Sequence, residues 1–384
     1  MQGLIMGLNL HLYPSDIRFE SRMLKATNSL ASTGKFSEIH LIGILEPGLA
    51  EHERIDSIRS IWRVPLSKPL PIPKTRGLQR LLGWTAKILS RYRREDVSIV
   101  HCHSLEDLPI GVLLKLVHRR VRLVYDAHEL ETERNGLKGI RKVTAKLKER
   151  LLIRFVDHTL VVSDSIAAWY RQAYKRNAIT VVRNMPSTNG WSRHDQPSSV
   201  FRDRFGINGG VVFLYQGALI RGRGIDLLLS AFSKVGKDKH IVLMGYGSYE
   251  PQVKQFAEKF SNIHFHEAVK PHEVMRYTAG ADVGICLIEN VCLSYYYSLP
   301  NKLFEYTLAG MPVIVSKFPE MLNFVAEFEN GWDTTVQEES ILNLIERIDR
   351  QDIEAKRRNC LKARESIGWS SEERKLLAAY AALV

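Results

Sequence analysis

Cysteine is scarce in this 384-residue chain, and no two cysteines form a CxxC pair. The spacing of Cys102, Cys286, Cys292 and Cys360 is typical of free thiols in a reducing compartment and disfavours a disulfide scaffold. Apolar runs of membrane-spanning length are also lacking. The first ten residues have neither a basic lead nor a cleavage motif, so we expect a first strand there instead of a signal peptide.

Metal-binding spacing is missing as well, although histidine and cysteine stand side by side at His101, Cys102 and His103. Neighbouring residues of a strand point to opposite faces of the sheet, so these three side chains cannot easily converge on one ion. The sequence therefore predicts no metal site at this triplet. Internal repeats and low-complexity segments are not evident either.

Positive charge is concentrated in the first half of the chain. Residues 1–190 contain 31 Lys and Arg against 18 Asp and Glu, whereas the remainder is close to neutral, so the first half carries the formal net charge of +12. This asymmetry favours a polyanionic or membrane-surface partner for the first half alone. The hydrophobic fraction of 45% and the charged fraction of 25% are those of a soluble globular protein, and the length suffices for two domains.

Short apolar runs alternate with helical patterns through the first half. The predicted strands are Leu4–Leu10, Ile39–Leu45, Ser98–His101, Arg122–Tyr125 and Thr159–Val162, with a last one from Thr180; the clearest helices are Arg18–Leu30, Leu105–His118 and Ile166–Tyr174. This alternation predicts parallel strands joined by right-handed crossovers. Residues 187–199, which are rich in Ser, Asn, Asp and Pro, are the predicted linker.

A second series of alternating elements begins at Gly210. Its predicted strands are Val211–Tyr215, His240–Met244, Ile263–His266, Val283–Leu287 and Val313–Val315, separated by helices at Gly224–Val235, Glu250–Phe260, Pro271–Thr278 and Asn301–Ala309. Two such series predict an α/β protein of two Rossmann-like, doubly wound domains, residues 1–190 and 200–365. These would face a central ligand cleft at the carboxyl ends of their strands. A helical tail follows Glu338.

The most informative stretch runs from Ser298 to Ser316 and predicts a loop, a helix, a turn and a buried strand. Pro300 suits the first helical position, where its missing N–H would have no intrahelical partner. Gly310 suits the left-handed residue after the last turn. Within the helix, Lys302 and Glu305 are three residues apart and project together.

Lys302 and Glu305 form a pair that suits a nucleotide. The lysine would neutralise phosphate with help from the helix N-terminus, and the glutamate would accept hydrogen bonds from ribose hydroxyls. An exposed helical ion pair is the alternative interpretation, and it would be preferable for an isolated K-x-x-E spacing.

The stretch from Ser298 to Ser316 resembles a segment of the retaining glycosyltransferases of family four, of the bacterial polysaccharide-assembly type, which have the GT-B architecture. The resemblance implies that Glu305 holds the ribose of a sugar nucleotide and that Asn301 and Lys302 also contact this donor. It further implies that the last helix, within residues 366–384, crosses back to the first domain.

This chain departs from the family near the donor sugar. Where many members have a second glutamate it has Tyr297, and Leu299 and Pro300 stand where many members offer glycine amides. Pro300 has no N–H to donate. Polysaccharide-assembly members share this L-P-N-K form of the segment, so the departure affects the expected sugar contacts and not the family assignment.

Two motifs of the first domain also match the family. The motif Tyr125–Leu130 implies that His128 contacts the donor sugar or its diphosphate, with a purely structural histidine as the alternative. The motif that starts at His101 makes His103 and Asp107 candidates for the acceptor side, although Asp107 also suits a helix start.

The loop Tyr13–Glu20 would open into the same cleft. Many relatives have paired glycines there for the acceptor and the diphosphate, and this chain has none. Asp16 and Arg18 are its acceptor-side candidates, and helix capping is the alternative role.

Glycine and arginine mark the loop between a strand and a helix at Tyr215–Asp226. Gly217 would let backbone N–H groups approach phosphate closely, and Arg221 and Arg223 would neutralise it. The family supplies an arginine where this chain has Ala218 and a lysine at the position of Arg223. Arg223 can take the lysine's role, whereas it stays open whether Arg221 replaces the missing arginine.

A short G-x-G follows the next strand, at Gly245 and Gly247. It is too short to be a dinucleotide fingerprint, because no third glycine arrives on schedule. We expect it to let the chain approach the nucleotide closely. The loop Glu267–Pro271 lies where family members hold the base through backbone groups.

Two basic stretches indicate a surface role. Lys68–Arg94 holds eight Lys and Arg and no acid, and Lys138–Arg154 holds seven against one Glu, both interleaved with apolar residues. We expect an amphipathic surface that rests on anionic lipid. A solvated basic face over an ordinary core is the alternative.

These features predict a retaining hexosyltransferase that moves a sugar from a nucleotide-sugar donor, most simply UDP-linked, to a lipid-linked saccharide or a growing capsular, exopolysaccharide or other envelope polysaccharide. We expect it in the cytoplasm, at the inner face of the plasma membrane. The catalytic candidates are His128, Lys302 and Glu305. No D-x-D occurs, the metal-holding motif of the other large glycosyltransferase architecture, so no metal or other cofactor is expected. Arg223, Lys302 and a helix N-terminus would carry the charge of the leaving diphosphate.

Two other functions stay open at this point. A sugar-nucleotide epimerase or hydrolase of the same architecture would convert the donor without any acceptor. A nucleic-acid-binding protein is suggested by the basic first half, but the aromatic stacking platforms of such proteins are not apparent, so no nucleic-acid partner is expected.

Overall fold

The structure is a computed structural model that describes residues 6–66, 76–187 and 198–383. The start of the basic stretch at Lys68 and most of the predicted linker therefore lie outside the described residues. The chain divides into two compact units, one formed by Met1–Asn184 with Glu372–Val384 and the other by Met185–Ser371. The C-terminal residues thus share a unit with the N-terminal half.

Both units are α/β structures, as the alternating patterns predict. The strands of the first unit are β1 (Leu8–Leu12), β2 (Ile39–Ile44), β3 (His52–Arg54), β4 (Arg59–Val64), β5 (Val97–Cys102), β6 (Arg122–Ala127), β7 (His158–Val161) and β8 (Ile179–Val181). Those of the second unit are β9 (Val211–Gln216), β10 (Lys239–Gly245), β11 (Ile263–Glu267), β12 (Val283–Cys286), β13 (Val313–Ser316) and β14 (Gly331–Thr334).

Helices connect these strands. They are α1 (Ser21–Ala31), α2 (Arg76–Tyr92), α3 (Leu108–Val117), α4 (Gly139–Leu152), α5 (Asp164–Tyr174), α6 (Val200–Phe205), α7 (Ile225–Phe232), α8 (Glu250–Lys259), α9 (Val274–Thr278), α10 (Leu293–Tyr296), α11 (Asn301–Leu308), α12 (Pro319–Phe328), α13 (Glu338–Arg347), α14 (Arg350–Ala363) and α15 (Trp369–Ala381).

The described strands of the first unit form one sheet in the order β3-β4-β2-β1-β5-β6-β7-β8. Every neighbouring pair is parallel except β3 with β4. All residues of β1 are buried, which is typical of a parallel strand covered on both faces. The strand order reverses between β1 and β5, and ligands of such sheets bind beyond the carboxyl ends at this point.

The second unit has a parallel sheet in the order β11-β10-β9-β12-β13-β14. Strand β9 lies inside the sheet, and all its residues are buried. Here the order reverses between β9 and β12, so the carboxyl end of β9 is the place where a ligand is expected. The two doubly wound α/β units of the predicted fold class are confirmed.

Three of the described strands were not predicted. Residues of β3 are exposed, and β4 alternates buried with half-buried residues and carries Arg59 and Arg63, so neither shows a continuous apolar run. Strand β14 is short and contains glycine and aspartate. Strand β1 begins at Leu8, later than the predicted Leu4, which lies outside the described residues.

Candidate active site

Helix α11 begins one residue later than the sequence predicts. Pro300 has an extended backbone, with φ −68° and ψ 142°, and precedes the helix as its N-cap. The prediction that it occupies the first helical position is therefore wrong, and Asn301 takes that position. At the other end Gly310 has φ 74° and closes the helix with the paired hydrogen bonds of a Schellman motif, so the predicted left-handed stop is confirmed.

Tyr306 fixes α11 to the central strand of its sheet. Its hydroxyl accepts a 3.0 Å hydrogen bond from the backbone N–H of Gln216, the last residue of β9. The buried face of the helix comprises Leu303, Phe304, Tyr306, Thr307 and Leu308. Lys302 and Glu305 are half-buried and lie at the carboxyl end of β9, where the strand order reverses.

The Lys302 amine stands over an aromatic ring at the end of β9. Its Nζ lies 3.8 Å from the centroid of the Tyr215 ring, a cation–π contact. Burial lowers the pKa of Lys302 to about 8; the neighbouring Arg223 adds to the lowering, and Cys286 and Glu305 oppose it. An anionic ligand beside this amine would favour its charged form, so the position suits phosphate.

The Glu305 carboxylate is held by Gln216. The Gln216 side-chain amide donates a 2.6 Å hydrogen bond to Glu305 Oε2, and its oxygen accepts a 2.8 Å hydrogen bond from the Thr278 hydroxyl. Because an ionised carboxylate can only accept hydrogen bonds, the nitrogen of the amide, and not its oxygen, faces Glu305. Sequence reasoning missed Gln216 and Thr278 because these contacts join residues 62 and 89 positions apart.

Two glycine loops pack against each other beside this pair. A Cβ on Gly245 would lie 1.9 Å from the backbone oxygen of Gly217, so the turns after β9 and β10 meet main chain to main chain. Gly217 and Gly247 have φ angles of 119° and 149°, which other residues rarely adopt. The contact between the loops thus requires Gly245 and Gly247, whereas Gly217 is required by its φ angle. Their approach to a nucleotide stays a prediction.

The two arginines of the first loop have different surroundings. The Arg223 guanidinium lies 4.5 Å from the ring centroid of Tyr295 and is close enough to Lys302 to lower the pKa of the lysine. Arg221 is exposed, as is Asn301 at the start of α11. The structure therefore groups Arg223 with Lys302 and leaves Arg221 outside this group.

In the first unit, a buried polar cluster lies at the carboxyl ends of β1, β5 and β6. It comprises His11, His101, His103 and Asp126, with half-buried His128 at its edge. Arg22 holds Asp126 with two hydrogen bonds of 2.8 and 2.7 Å. Burial alone would raise the pKa of Asp126, but Arg22 and the imidazoles outweigh burial and keep that pKa well below its usual range.

Three histidines of the cluster form a chain. His11 Nδ1 lies 2.9 Å from His103 Nε2, and His103 Nδ1 lies 3.1 Å from His128 Nε2. Burial lowers the pKa of His11 and of His103 well below the ordinary value, so both rings are neutral near pH 7. A neutral ring has one N–H, so His103 donates to one neighbour and accepts from the other. The structure thus places predicted His103 behind His128, buried and bonded to it.

The same cluster contains residues of the types that bind metals. Ligand atoms of His11, His101 and His103 lie within 4.8 Å of one another, as do those of His103, Asp126 and His128. The His101 and His103 rings are stacked 4.2 Å apart and nearly parallel, and hydrogen bonds within the cluster occupy both nitrogens of His103. This arrangement suits a hydrogen-bonded stack better than one ion, and the expectation of no metal stays a prediction.

Sequence reasoning missed His11 as a member of the cluster. The β1–β5 pairing sets His11 opposite His101, so the residues converge only through the sheet. The argument from alternating faces holds for Cys102, whose sulfur contacts the Asp107 carbonyl oxygen instead. His101 and His103, two positions apart, share one face.

Two further acceptor-side candidates, Asp107 and Asp16, form hydrogen bonds with residues close to them in the chain. Asp107 is fully buried at the start of α3 and accepts a 2.8 Å hydrogen bond from Ser104, and burial raises its pKa to about 8. An acceptor cannot reach this carboxyl group in its buried position. Asp107 precedes α3, but its side chain makes no capping hydrogen bond to the helix. Asp16 accepts hydrogen bonds from the backbone and side chain of Arg18. Because α1 begins only at Ser21, Asp16 closes its own turn and does not cap a helix.

Comparisons with known proteins give two family matches. Residues 37–188 match the family described as Glycosyltransferase Family 4, and residues 210–351 match the one described as Glycosyl transferases group 1. A curated relative, chitobiosyldiphosphodolichol beta-mannosyltransferase of Debaryomyces hansenii, is 22% identical over 303 residues. The match covers 70% of this chain and 63% of that relative, so it spans less than two thirds of the relative's length.

Solved structures with the same fold cover nearly the whole chain. A sucrose-phosphate synthase from Thermosynechococcus elongatus has a TM-score of 0.79 at 15% identity, covering 98% of this chain and 99% of its own. Anabaena HepE in complex with UDP-glucose has a TM-score of 0.74 at 14% identity, with the same coverage. WaaG, a glycosyltransferase involved in lipopolysaccharide biosynthesis, has a TM-score of 0.68 at 16% identity and covers 98% of each chain.

Proposed function

Because the chain belongs to the GT-B glycosyltransferases, with a family 4 domain followed by a group 1 domain, we propose that it is a retaining enzyme. It transfers a sugar from a nucleotide-sugar donor, a UDP-sugar, to a lipid-linked saccharide or a growing envelope polysaccharide. The observation that carries this proposal is the grouping of Lys302, Arg223 and Glu305 at the carboxyl end of β9.

In this proposal the second unit binds the donor. The cations Lys302 and Arg223 neutralise the diphosphate, and the Glu305 carboxylate, oriented by Gln216, accepts hydrogen bonds from the ribose. The HepE structures contain UDP or UDP-glucose, which supports uridine as the base. Positive side chains stabilise the leaving diphosphate, so no metal ion is needed for that purpose.

The proposed transfer retains the configuration of the sugar. The acceptor hydroxyl oxygen bonds to the anomeric carbon as the bond to the diphosphate oxygen breaks, and the hydroxyl proton passes to the departing phosphate on the same face. No carboxylate nucleophile is required for this route.

A lipid-linked acceptor is supported by the relatives' names. The curated relative is named for a sugar on a dolichol diphosphate, and WaaG is described as acting in lipopolysaccharide biosynthesis. We propose the cytoplasmic face of the plasma membrane as the location, with capsule or exopolysaccharide assembly as the process. Among the described helices, none combines the length and apolar character needed to cross a bilayer.

Thermal shift with UDP-, GDP- and ADP-sugars, in buffer containing a chelator, tests the donor assignment. A UDP-sugar should raise the melting temperature. A ligand whose free concentration is about a hundred times its Kd adds about 2.7 kcal/mol to the free energy of unfolding. The matching donor is then incubated with and without a lipid-linked saccharide. Donor consumption without acceptor would identify an epimerase or a hydrolase instead, and NMR of the product distinguishes retention from inversion. Stabilisation by GDP- or ADP-sugars alone would refute uridine.

A further inference from the structure

Helix α4 turns its apolar side toward solvent. Ile140, Val143, Leu147 and Leu151 lie at intervals of three and four residues, which places them in one stripe along the helix. Their exposed fractions are 79%, 65%, 56% and 48%. A surface helix of a soluble protein ordinarily buries such a stripe against its core. The ordinary arrangement is therefore reversed in α4.

Polar contacts hold the inner side of α4. The one fully buried residue of this helix, all of which is described, is Glu149. Its carboxylate accepts hydrogen bonds of 2.8, 2.6 and 2.6 Å from the hydroxyls of Tyr125, Tyr170 and Tyr174. The helix is thus anchored by a buried carboxylate, so its exposed stripe is not a product of loose packing.

The apolar surface continues onto neighbouring elements. Helix α3, which packs against α4, exposes Leu113, Leu116 and Val117 by 40%, 59% and 54%, and Phe155 beyond the end of α4 is 40% exposed. We call the eight residues from α3, α4 and Phe155 the α3–α4 apolar face. Exposed apolar residues gathered on neighbouring elements in this way are typical of an interaction site.

Charge identifies the kind of partner. The segment from Lys138 to Arg154 holds seven Lys and Arg and one Glu, and that Glu is the buried Glu149. Lys142 and Lys146 pair with Glu133, so the charge that faces a partner comes from the exposed cations Lys138, Arg141, Arg150 and Arg154. Exposed Arg119 and Arg120 follow α3. A second copy of this face would bring two basic surfaces together, which is unfavourable. Nucleic acid would match the charge but not the aliphatic stripe.

We propose that the α3–α4 apolar face inserts into the interface of an anionic bilayer, with the flanking lysines and arginines on the lipid headgroups. Such binding requires exposed apolar area that the bilayer can bury, together with nearby positive charge, and α4 supplies both. Docking would hold the first unit at the membrane surface that carries a lipid-linked saccharide. This last step, which concerns the acceptor, rests on the proposed function.

Co-sedimentation with vesicles tests the proposal on the full chain. The wild type should bind vesicles of phosphatidylglycerol and phosphatidylcholine at low salt, and should bind phosphatidylcholine alone far more weakly. The double variant Val143→Ser, Leu147→Ser keeps the charge and should bind about tenfold less. The matched control Val291→Ser, Leu361→Ser alters two exposed apolar residues of the second unit and should bind like the wild type. No wild-type binding, or equal binding of the two double variants, would overturn the proposal.

Depth of insertion gives a second readout. In the variant Leu147→Trp, lipids brominated on their acyl chains should quench fluorescence beyond the wild-type background of six tryptophans. Quenching no greater than that of the wild type would refute insertion even if the protein sediments. Thermal shift with UDP-sugar is measured on the wild type and on the variants of the α3–α4 apolar face, and it should be unchanged because this face lies in the first unit. Loss of vesicle binding with an unchanged thermal shift would thus be a failure of docking, whereas a lost thermal shift would be a failure of donor binding.

Discussion

The side-chain amide of Gln216 donates a 2.6 Å hydrogen bond to the Glu305 carboxylate and so joins the end of β9 to the second turn of α11. Gln216 is itself oriented by Thr278 and, through its backbone N–H, by Tyr306. A carboxylate held in this way keeps one geometry before any ligand arrives. Such preorganisation lowers the entropic cost of binding.

This relationship predicts a loss of donor affinity when Gln216 is changed. Gln216→Leu removes the donor to Glu305 and should weaken UDP binding about tenfold, the equivalent of one charge-assisted hydrogen bond. Thr278→Val removes only the hydroxyl that orients the amide and should have a smaller effect. Isothermal titration with UDP checks both variants, after circular dichroism has shown that they fold. Wild-type affinity in Gln216→Leu would contradict the positioning role.

The lowered pKa of Lys302 predicts a pH dependence of donor binding. With a pKa of about 8, the amine loses its proton as the pH rises through that value, and an uncharged amine no longer neutralises phosphate. UDP affinity should therefore fall roughly tenfold between about pH 7 and about pH 9. The variant Lys302→Arg stays charged over this range, so its affinity should be nearly independent of pH. A flat wild-type profile in the same titrations would rule out the lysine as the titrating group.

The contact between the two glycine loops predicts a cost of adding a side chain. Gly245→Ala would place a Cβ 1.9 Å from the Gly217 backbone oxygen, so the main chain must move. We expect a loss of about 1–3 kcal/mol in the free energy of unfolding, together with weaker UDP binding.

The matched control for this glycine is Gly34→Ala. Gly34 has φ 63° and no neighbour within 4 Å, so only the backbone conformation is penalised, by about 1 kcal/mol. Urea unfolding measures the free energy of both variants. If they lose the same stability and Gly245→Ala keeps wild-type UDP affinity, the loop contact does not shape the site.

The burial of Asp107 predicts a stability effect with a definite sign. Its pKa of about 8 in the folded protein lies above the ordinary value, so the folded state keeps a proton that the unfolded state releases. The stability that this group contributes is present at low pH and is lost as the pH rises toward 8. Asp107→Asn does not titrate, so relative to the wild type it should gain on the order of 3 kcal/mol between about pH 6 and about pH 9.

Urea unfolding at the two pH values measures this difference for Asp107→Asn. The variant should keep its transferase activity, since the buried carboxyl group does not reach an acceptor. Loss of activity at unchanged stability would instead restore Asp107 to the acceptor side.

The α11 segment could be predicted almost in full, because its signals are local. The interval between Lys302 and Glu305 and the glycine at position 310 act within a few residues of one another. The start of the helix was misjudged by one residue, since proline is tolerated both before a helix and at its first position. Most parallel strands could also be predicted from a local signal. A strand that is buried on both faces, such as β9, has a continuous run of apolar residues in the sequence.

Contacts between distant residues could not be predicted. The partners of Gln216 and the place of His11 in the histidine chain depend on strand pairing and crossovers, which a single sequence does not encode locally. The stripe on α4 has helical spacing in the sequence, but spacing alone does not tell which side faces the core. The buried Glu149 decides this, and its three tyrosine partners come from other elements.

Isothermal titration of UDP tests the central claim, that Lys302 and Glu305 hold the nucleotide of the donor. The wild type and the charge-reversal control Lys259→Glu, which alters an exposed residue at the end of α8, should bind UDP with equal affinity. Lys302→Glu should show no measurable binding, and Glu305→Ala should bind about tenfold more weakly or worse. If both folded variants bind UDP as tightly as the wild type, the nucleotide does not lie at the carboxyl end of β9 and the proposed site is wrong.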